Sequence, residues 1–404
     1  MPAPSAGTRP AATAPASLFG APGITRPLEQ KENNDNAVTA LSQANATQAL
    51  GYIPLRQTDV IYGWQLQLTH AVTPTAGTGA ITVSPYFPDN FLGTTQLNMQ
   101  NQFSTINVES GIDLALFQAI RPMRKSDRRN GLYTTTTNLY NPATDIVSLS
   151  NYTNASTSIL RRYEFPAGMW FDQYFELDAA GNALTSAPLR AFVSPQYMAG
   201  TARIVTPILN FNPLAGSKAD QGPYTVTGNA TLADSVTQNW RRVGIYQPMG
   251  AEDSPPVFNW QYVRRTQRFS LSGVSSANLL VPLNGQILAV YVRMFDPSSG
   301  GVGAPIAISA VSECDVQYGS GLYRYQDTPT DTMARFIAQH GSSLLTTGLL
   351  AWDFALDDQD NLTNRYALNT MNTSGIQVSL TFTGAQSSTA YAVVGVEALQ
   401  YVEL

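Results

Sequence analysis

An all-β protein, in which one sandwich fold is made twice in a single chain with a few short helices, is what this sequence predicts. Three observations carry that expectation. Only 13% of the 404 residues are charged, half the share typical of soluble domains (about 25%), while 43% are hydrophobic, 10% aromatic, 30 are Gly and 25 are Pro. Such a composition fills a core and favours strands and turns over helices. Strictly alternating segments recur along the chain, and one order of elements occurs in both halves.

Taken in order, residues 1 to about 35 are rich in Pro, Ala, Ser and Thr and read as an extended arm with a slight basic excess from Arg9, Arg26 and Lys31. Residues 36–50 carry helix formers and a weak apolar face that Gly51 would stop, so residues 1–51 are expected to be an arm and a short helix. Trp64, Leu66, Leu68, His70 and Val72 alternate with polar neighbours, the pattern of a half-buried strand. A helix is expected from Ser110, capped with help from Asp113, through Leu116 and Ile120 to the stop at Pro122. Val205, Pro207, Leu209 and Phe211 share one face of a strand, and Pro207 demands an edge or a bulge there. In the second half, Leu288, Val290, Val292 and Met294 alternate, as do Ile376, Val378, Leu380 and Phe382. Thr328, Pro329 and Asp331 open a helix that places Met333, Phe336 and Ile337 on one side and ends at Gly341. Tyr391 to Val396 is apolar on both faces and reads as a central strand.

The duplication is visible in residues. Gly168 begins an aromatic-rich run into Phe175-Glu-Leu177-Asp178, a turn and Asn182-Ala-Leu184-Thr185; Gly348 begins another into Phe354-Ala-Leu356-Asp357, a turn and Asn361-Leu362-Thr363. Each copy has a helix upstream and a strand downstream. The expected domains are 52–247 and 257–404, joined at Glu252-Asp-Ser-Pro-Pro256. From Ser110 to Phe175 is 65 residues but from Thr328 to Phe354 only 26, which assigns the first copy a polar surface insertion at about 122–163.

Candidate chemistry is sparse. The two histidines, His70 and His340, lie far apart and no nucleophile motif accompanies either. Cys314 is the only cysteine, so no disulfide forms within the chain, and it reads as a small buried hydrophobe. The run Asp357-Asp-Gln-Asp360 lacks the glycine and distal glutamate of a calcium loop, and turn chemistry explains it. No catalytic, cofactor-binding or metal residue is assigned, and neither enzymatic activity nor a cofactor is expected. A net charge of −5 argues against a chain that coats nucleic acid or reads its sequence. No run of 18 apolar residues occurs, and the N-terminus lacks a standard secretory signal. One dense basic cluster follows the first helix: Arg121, Arg124, Lys125, Arg128 and Arg129. With Arg9, Arg26 and Lys31 it forms the set of candidate assembly contacts. Arg pairs at 161–162, 241–242 and 264–265 adjoin aromatic strand residues and suit interfaces.

The fold class is therefore two tandem eight-stranded jelly-roll sandwiches with a few short helices. A polar arm, a short N-terminal helix and two such rolls, each with a helix before its Phe-x-Leu-Asp strand, resemble the double jelly-roll major capsid proteins of tailless icosahedral DNA viruses, the tectivirus-like lineage that includes bacteriophages. The resemblance implies a homotrimer whose six rolls form a pseudo-hexagonal capsomer. It implies a place in the virion shell after assembly in the host cytoplasm, with neighbouring capsomers, penton and minor capsid proteins as partners, and an N-terminal arm on an internal membrane. Low charge agrees, because large interfaces exclude charged residues from the buried patch. Two other readings compete. An extracellular adhesin or carbohydrate-binding β-sandwich would use Trp and Tyr as a sugar platform, and a glycoside hydrolase on a jelly-roll scaffold would need two facing acids.

Overall fold

The computed structural model describes residues 28–39, 48–49, 60–75, 81–83, 89–99, 104–120, 132–134, 157–166, 205–212, 215–216, 224–226, 228, 231–245, 260–297, 304–318, 322–340, 348–354, 368–370 and 375–401. Among them are 22 strands and two α-helices.

The N-terminal half contains β1 (Leu28–Thr39), β2 (Gln48–Ala49), β3 (Val60–Thr75), β4 (Ile81–Val83), β5 (Leu92–Met99), β6 (Ser104–Val108), α1 (Gly111–Ile120), β7 (Leu132–Thr134), β8 (Thr157–Pro166), β9 (Val205–Phe211), β10 (Ala215–Gly216), β11 (Tyr224–Val226) and β12 (Thr231–Ile245). Strands β1-β12-β3-β8-β7 make one antiparallel sheet, and β2-β9-β5-β6 run side by side in another. Alternation decides which side chains turn inward. Trp64, Leu66 and Leu68 of β3 are buried, and on β12 Leu232, Val236 and Trp240 are buried while Thr231, Ala233 and Thr237 are exposed. These residues join Leu97, Ile106, Leu209 and Phe211 of the other sheet, and Leu114 and Phe117 of α1, in one cluster. Burying each large side chain is worth about 1.5–3 kcal/mol. Among the described residues, Pro207 has a partner strand on one side alone. Strand β9 pairs with β5 along its length, but with β2 only at Asn210 and Phe211.

The C-terminal half contains β13 (Trp260–Ser270), β14 (Ser276–Leu280), β15 (Gln286–Asp296), β16 (Ala304–Pro305), β17 (Val311–Tyr318), β18 (Leu322–Asp327), α2 (Pro329–His340), β19 (Leu349–Asp353), β20 (Leu368–Asn369), β21 (Ile376–Phe382) and β22 (Tyr391–Tyr401). Its eight main strands form two layers, β13-β22-β15-β19 and β14-β21-β17-β18, around a second cluster that includes Val290, Val292, Val378, Leu380 and Trp352. That is an eight-stranded jelly roll. Strand β22 lies between β13 and β15 with Ala392 to Ala398 buried, as its unbroken apolar run requires.

Both halves place a helix at the same point of the chain, after β6 and after β18, and both use the same cap. Ser110 Oγ donates to Asp113 Oδ2 at 2.8 Å and Thr328 Oγ1 to Asp331 Oδ2 at 2.7 Å, while each acid's backbone N–H points back at the hydroxyl. Phe336 packs inward as expected, whereas Ile337 is 39% exposed.

Three expectations are corrected. Residues 36–50 form no helix at either described end: Leu28–Thr39 is strand β1, and Gln48–Ala49 is β2. The backbone donors and acceptors along the edge of β12 take up nine residues of β1, and that pairing outweighs a polar sequence without alternation. The same pairing shortens the free arm, because residues 28–35 belong to the first sheet. The insertion, too, is shorter at its C-terminal end than 163. Thr157–Pro166 is β8, which pairs with β3, and Tyr163 and Phe165 are fully buried. The run 168–178, the turn 357–363 and residues 135–156 lie outside the described residues.

Candidate functional site

Where the two halves meet, their sheets become one. Strand β6 of the first half pairs in parallel with β13 of the second, Ile106 with Arg264 and Asn107 with Arg265. The backbone N–H of Glu109, just past β6, donates to Thr266 Oγ1 at 2.6 Å. Helix α1 then turns across the outer face of β13, β22 and β15. Gly111 lets the start of the helix sit close against the first half itself, since a Cβ there would overlap the carbonyl of Asp89 and the side chain of Leu92.

Both ends of α1 are held by arginines of the second half. At its N-terminus, Asp113 is the capping acid and is fully buried, and its Oδ1 forms an ion pair with Nη2 of Arg293 on β15. The carboxylate thus accepts from the cap hydroxyl of Ser110, places negative charge in the helix's first turn, and neutralises a cation from the other roll. Near the C-terminus, Arg264 Nη2 donates to the Phe117 carbonyl, in the last turn of the helix, at 3.4 Å. Its guanidinium also faces the Phe117 ring at 5.4 Å and the Tyr262 ring at 5.3 Å. Arg264 Nε donates to Tyr262 Oη at 2.9 Å, and Tyr262 Oη donates to Glu397 Oε1 at 2.9 Å. Burial works against the Arg264 charge, but Tyr262 and Glu397 outweigh it and hold the guanidinium pKa above its ordinary value.

An aromatic contact fills the space between the two arginines. Tyr291 of β15 meets Phe117 edge-to-face with centroids 4.8 Å apart, a geometry worth about 0.5–1.5 kcal/mol beyond area. Tyr291 lies flat over Gly395 of β22, where any Cβ would strike its ring. Burial, reinforced by Asp113 and Glu397, pushes its hydroxyl well above the ordinary phenol range. Tyr291, Phe336, Leu349 and Ala351 accordingly belong to the first half's hydrophobic cluster rather than the second's.

Each roll also has a lock of its own. Arg161 on β8 donates to Asp89 Oδ1 at 2.6 Å, and Tyr163 Oη donates to the same oxygen at 3.0 Å. In the second roll Arg335 of α2 makes a two-pronged contact with Asp327, at 2.8 and 3.2 Å, and covers the Tyr325 ring. Cys314 is buried beside Thr332, and burial first of all pushes its thiol up to about 11.

The sequence-level candidates fall elsewhere. Arg9, Arg26, Arg121, Arg124, Lys125, Arg128 and Arg129 lie outside the described residues. Lys31 is in β1 opposite Arg241, with its backbone alone described. The arginine pairs led closer: Arg161 and Arg264 are core residues with partners inside the same chain, not at an outer interface. The seam's other members, Asp113, Arg293, Tyr291 and Gly395, were missed as a group. The signal for Asp113 was its capping position, and nothing local marks Arg293, 180 positions away. No group of three or more His, Cys, Asp or Glu suited to a metal ion occurs among the described residues. Among the described residues the seam holds no nucleophile beside a base, and its contacts are those of a fixed joint.

No family model and no curated protein matches this sequence. Among solved structures, the chain is similar to the crystal structure of the major capsid protein of Sulfolobus turreted icosahedral virus, at 14% identity and a TM-score of 0.56, over 93% of this chain and 98% of that one. A chain in the atomic structure of the same virus gives 12% identity and a TM-score of 0.57, over 94% and 91%. The likeness runs over nearly the full length of both proteins. The chain has the double jelly-roll fold that the Sulfolobus virus coat protein has.

Proposed function

We propose that this chain is a structural coat protein, three copies of which form a pseudo-hexagonal capsomer that tiles the icosahedral shell of a virion. The observation that carries this reading is the seam. Two similar rolls fastened through both ends of α1 make one rigid block with two near-equivalent sides, so three copies around an axis present six. Likeness in fold to a viral coat protein supports it. The chain divides into rolls at 52–247 and 257–404, with β1 added to the first. The work of the protein is structural rather than catalytic. Its partners are further copies, the penton and minor proteins of the shell, and, through residues 1–27, an inner membrane surface. Arg9 and Arg26 would each gain about 1 kcal/mol near anionic lipid.

Sedimentation of the purified full-length chain tests the reading. A stable trimer is the expected result. A monomer that binds a glycan array would replace it with the adhesin reading.

A further inference from the structure

The two halves repeat each other in detail. Strands β1-β12-β3-β8 of the first lie in the same order as β13-β22-β15-β19 of the second, and β2-β9-β5-β6 in the same order as β14-β21-β17-β18. Even the irregularities recur. Strand β3 skips Tyr62 against β12 where β15 skips Leu288 against β22, and β6 skips Thr105 against β5 where β18 skips Arg324 against β17. Helices α1 and α2 follow β6 and β18 with the same cap, so Asp331 stands where Asp113 does.

The two helices differ in what covers them. In α1, Asp113, Leu116, Phe117 and Ile120 are buried, and Asp113 and Phe117 meet the second half. At the matching positions of α2, Asp331, Ala334 and Ala338 are exposed, and so is Ile337 beside them. The strand edges show the same contrast. Strand β6 pairs in parallel with β13, whereas among the described residues β18 pairs with β17 alone and β1 with β12 alone. The chain thus carries one joint closed and the two sides of a second joint open.

Register defines the receiving side. Gln65 holds the place of Tyr291 and Gln67 that of Arg293, while Arg241 and Lys31, paired with each other, hold those of Gly395 and Thr266. Thr237 on this face is exposed, and Gln67 and Asn239 are half-buried. Gln65 is buried with its Oε1 unbonded, an acceptor that costs free energy until a donor reaches it. Register also puts Arg162, Glu29 and the buried Glu164 on this face, and Asp35 falls in the unpaired bulge of β1. Lys31 opposite Arg241 is the like-charge pair among them, and such pairs are destabilising across strands. An acid placed as Asp113 is placed in α1 relieves it, and Asp331 is that acid.

We propose that α2 and β18 of one copy dock on the β1-β12-β3 sheet of a second copy, with β18 and β1 in parallel, repeating between chains the joint that α1 and β6 make within one. The inference rests on the assembly reading above and names the contact that joins one copy to the next. A head-to-tail contact of this kind closes into a ring. Its polar receiving face suits a joint between chains that fold apart, because such interfaces are about as polar as the rest of a protein's surface.

The test uses full-length protein. Ala334→Asp with Ile337→Asp charges the exposed side of α2, where both side chains already face solvent. Sedimentation should show the trimer dissociation constant raised about a hundredfold or more, with the far-ultraviolet circular dichroism unchanged. A variant that trimerises as the parent does overturns the docking and leaves the assembly reading intact; a parent that is itself monomeric removes the assembly reading. A second arm depends on no variant. Nitrogen-15-labelled and unlabelled copies of the parent are mixed before assembly, treated with a zero-length carbodiimide and read by mass spectrometry. The expected product is an amide between Lys31 and Asp331 in which one peptide is labelled and the other is not. Trimers that give no such mixed pair, or same-label pairs alone, count against the contact.

Discussion

Asp113 and Arg293 show how a single residue can hold two roles. Asp113 is a helix cap that sequence spacing reveals, and it is also half of a buried ion pair that spacing cannot reveal. Removing one partner leaves a buried charge alone, which costs about 3–5 kcal/mol. Arg293→Ala should therefore lower the unfolding free energy by that much in a denaturant titration. Arg293→Met combined with Asp113→Leu should recover most of the loss, because a well-packed apolar pair can replace a buried ionic one. Gly395 carries a parallel expectation. Gly395→Ala forces the Tyr291 ring off its seat and should cost about 1–3 kcal/mol, and the added change Tyr291→Leu should relieve it. Cys314 has its pKa raised from 9.0 to about 11 by burial above all. Below pH 9 both the folded and the unfolded thiol are protonated, and no effect on stability arises. Between pH 9 and 11 the unfolded thiol ionises first, so stability falls as pH rises through that window, by about 1.4 kcal/mol per unit at most. Cys314→Ala should flatten that slope in chemical denaturation measured from pH 8 to 11.

Elements divide sharply into those the sequence discloses and those it conceals. Both helix starts were legible because a hydroxyl and an acid three residues apart act locally. The central place of β22 followed from an apolar run too continuous for a surface strand. Strand β1 was hidden, since the run Gln30 to Asn36 has no alternation and its only reason to be extended is the edge of β12, some 200 residues later. Strand β8 was hidden for a related reason. Arg161 and Arg162 read as an interface pair at the end of a polar insertion, yet Arg161 and Glu164 are buried within the chain, and Arg161 is neutralised by Asp89. The seam was the least legible part, being built from pairs more than 100 positions apart. The position of β1 yields a clear expectation for truncation. Removing residues 1–27 should leave the melting temperature nearly unchanged. Removing residues 1–39 strips nine residue pairs from β12 and exposes its edge, so the product should melt at lower temperature and aggregate. Equal melting of the two truncations would show that β1 adds nothing to the sheet.

At the scale of the whole molecule, a continuous sheet and a doubly held helix make two rolls behave as one body. Interfaces between domains of one chain usually permit relative motion; here Glu109, Asp113 and Phe117 each meet a partner across the joint. Calorimetry of the intact chain should show one cooperative transition, and Arg264→Ala with Arg293→Ala should split it in two. A block of this kind suits a shell, where the same object must meet several neighbours without yielding. Electron microscopy of the purified, assembled protein tests that account most directly. The expected image is a three-chain particle with six near-equivalent lobes, packed edge to edge into closed icosahedral shells. A monomer whose two lobes take up variable angles would contradict it.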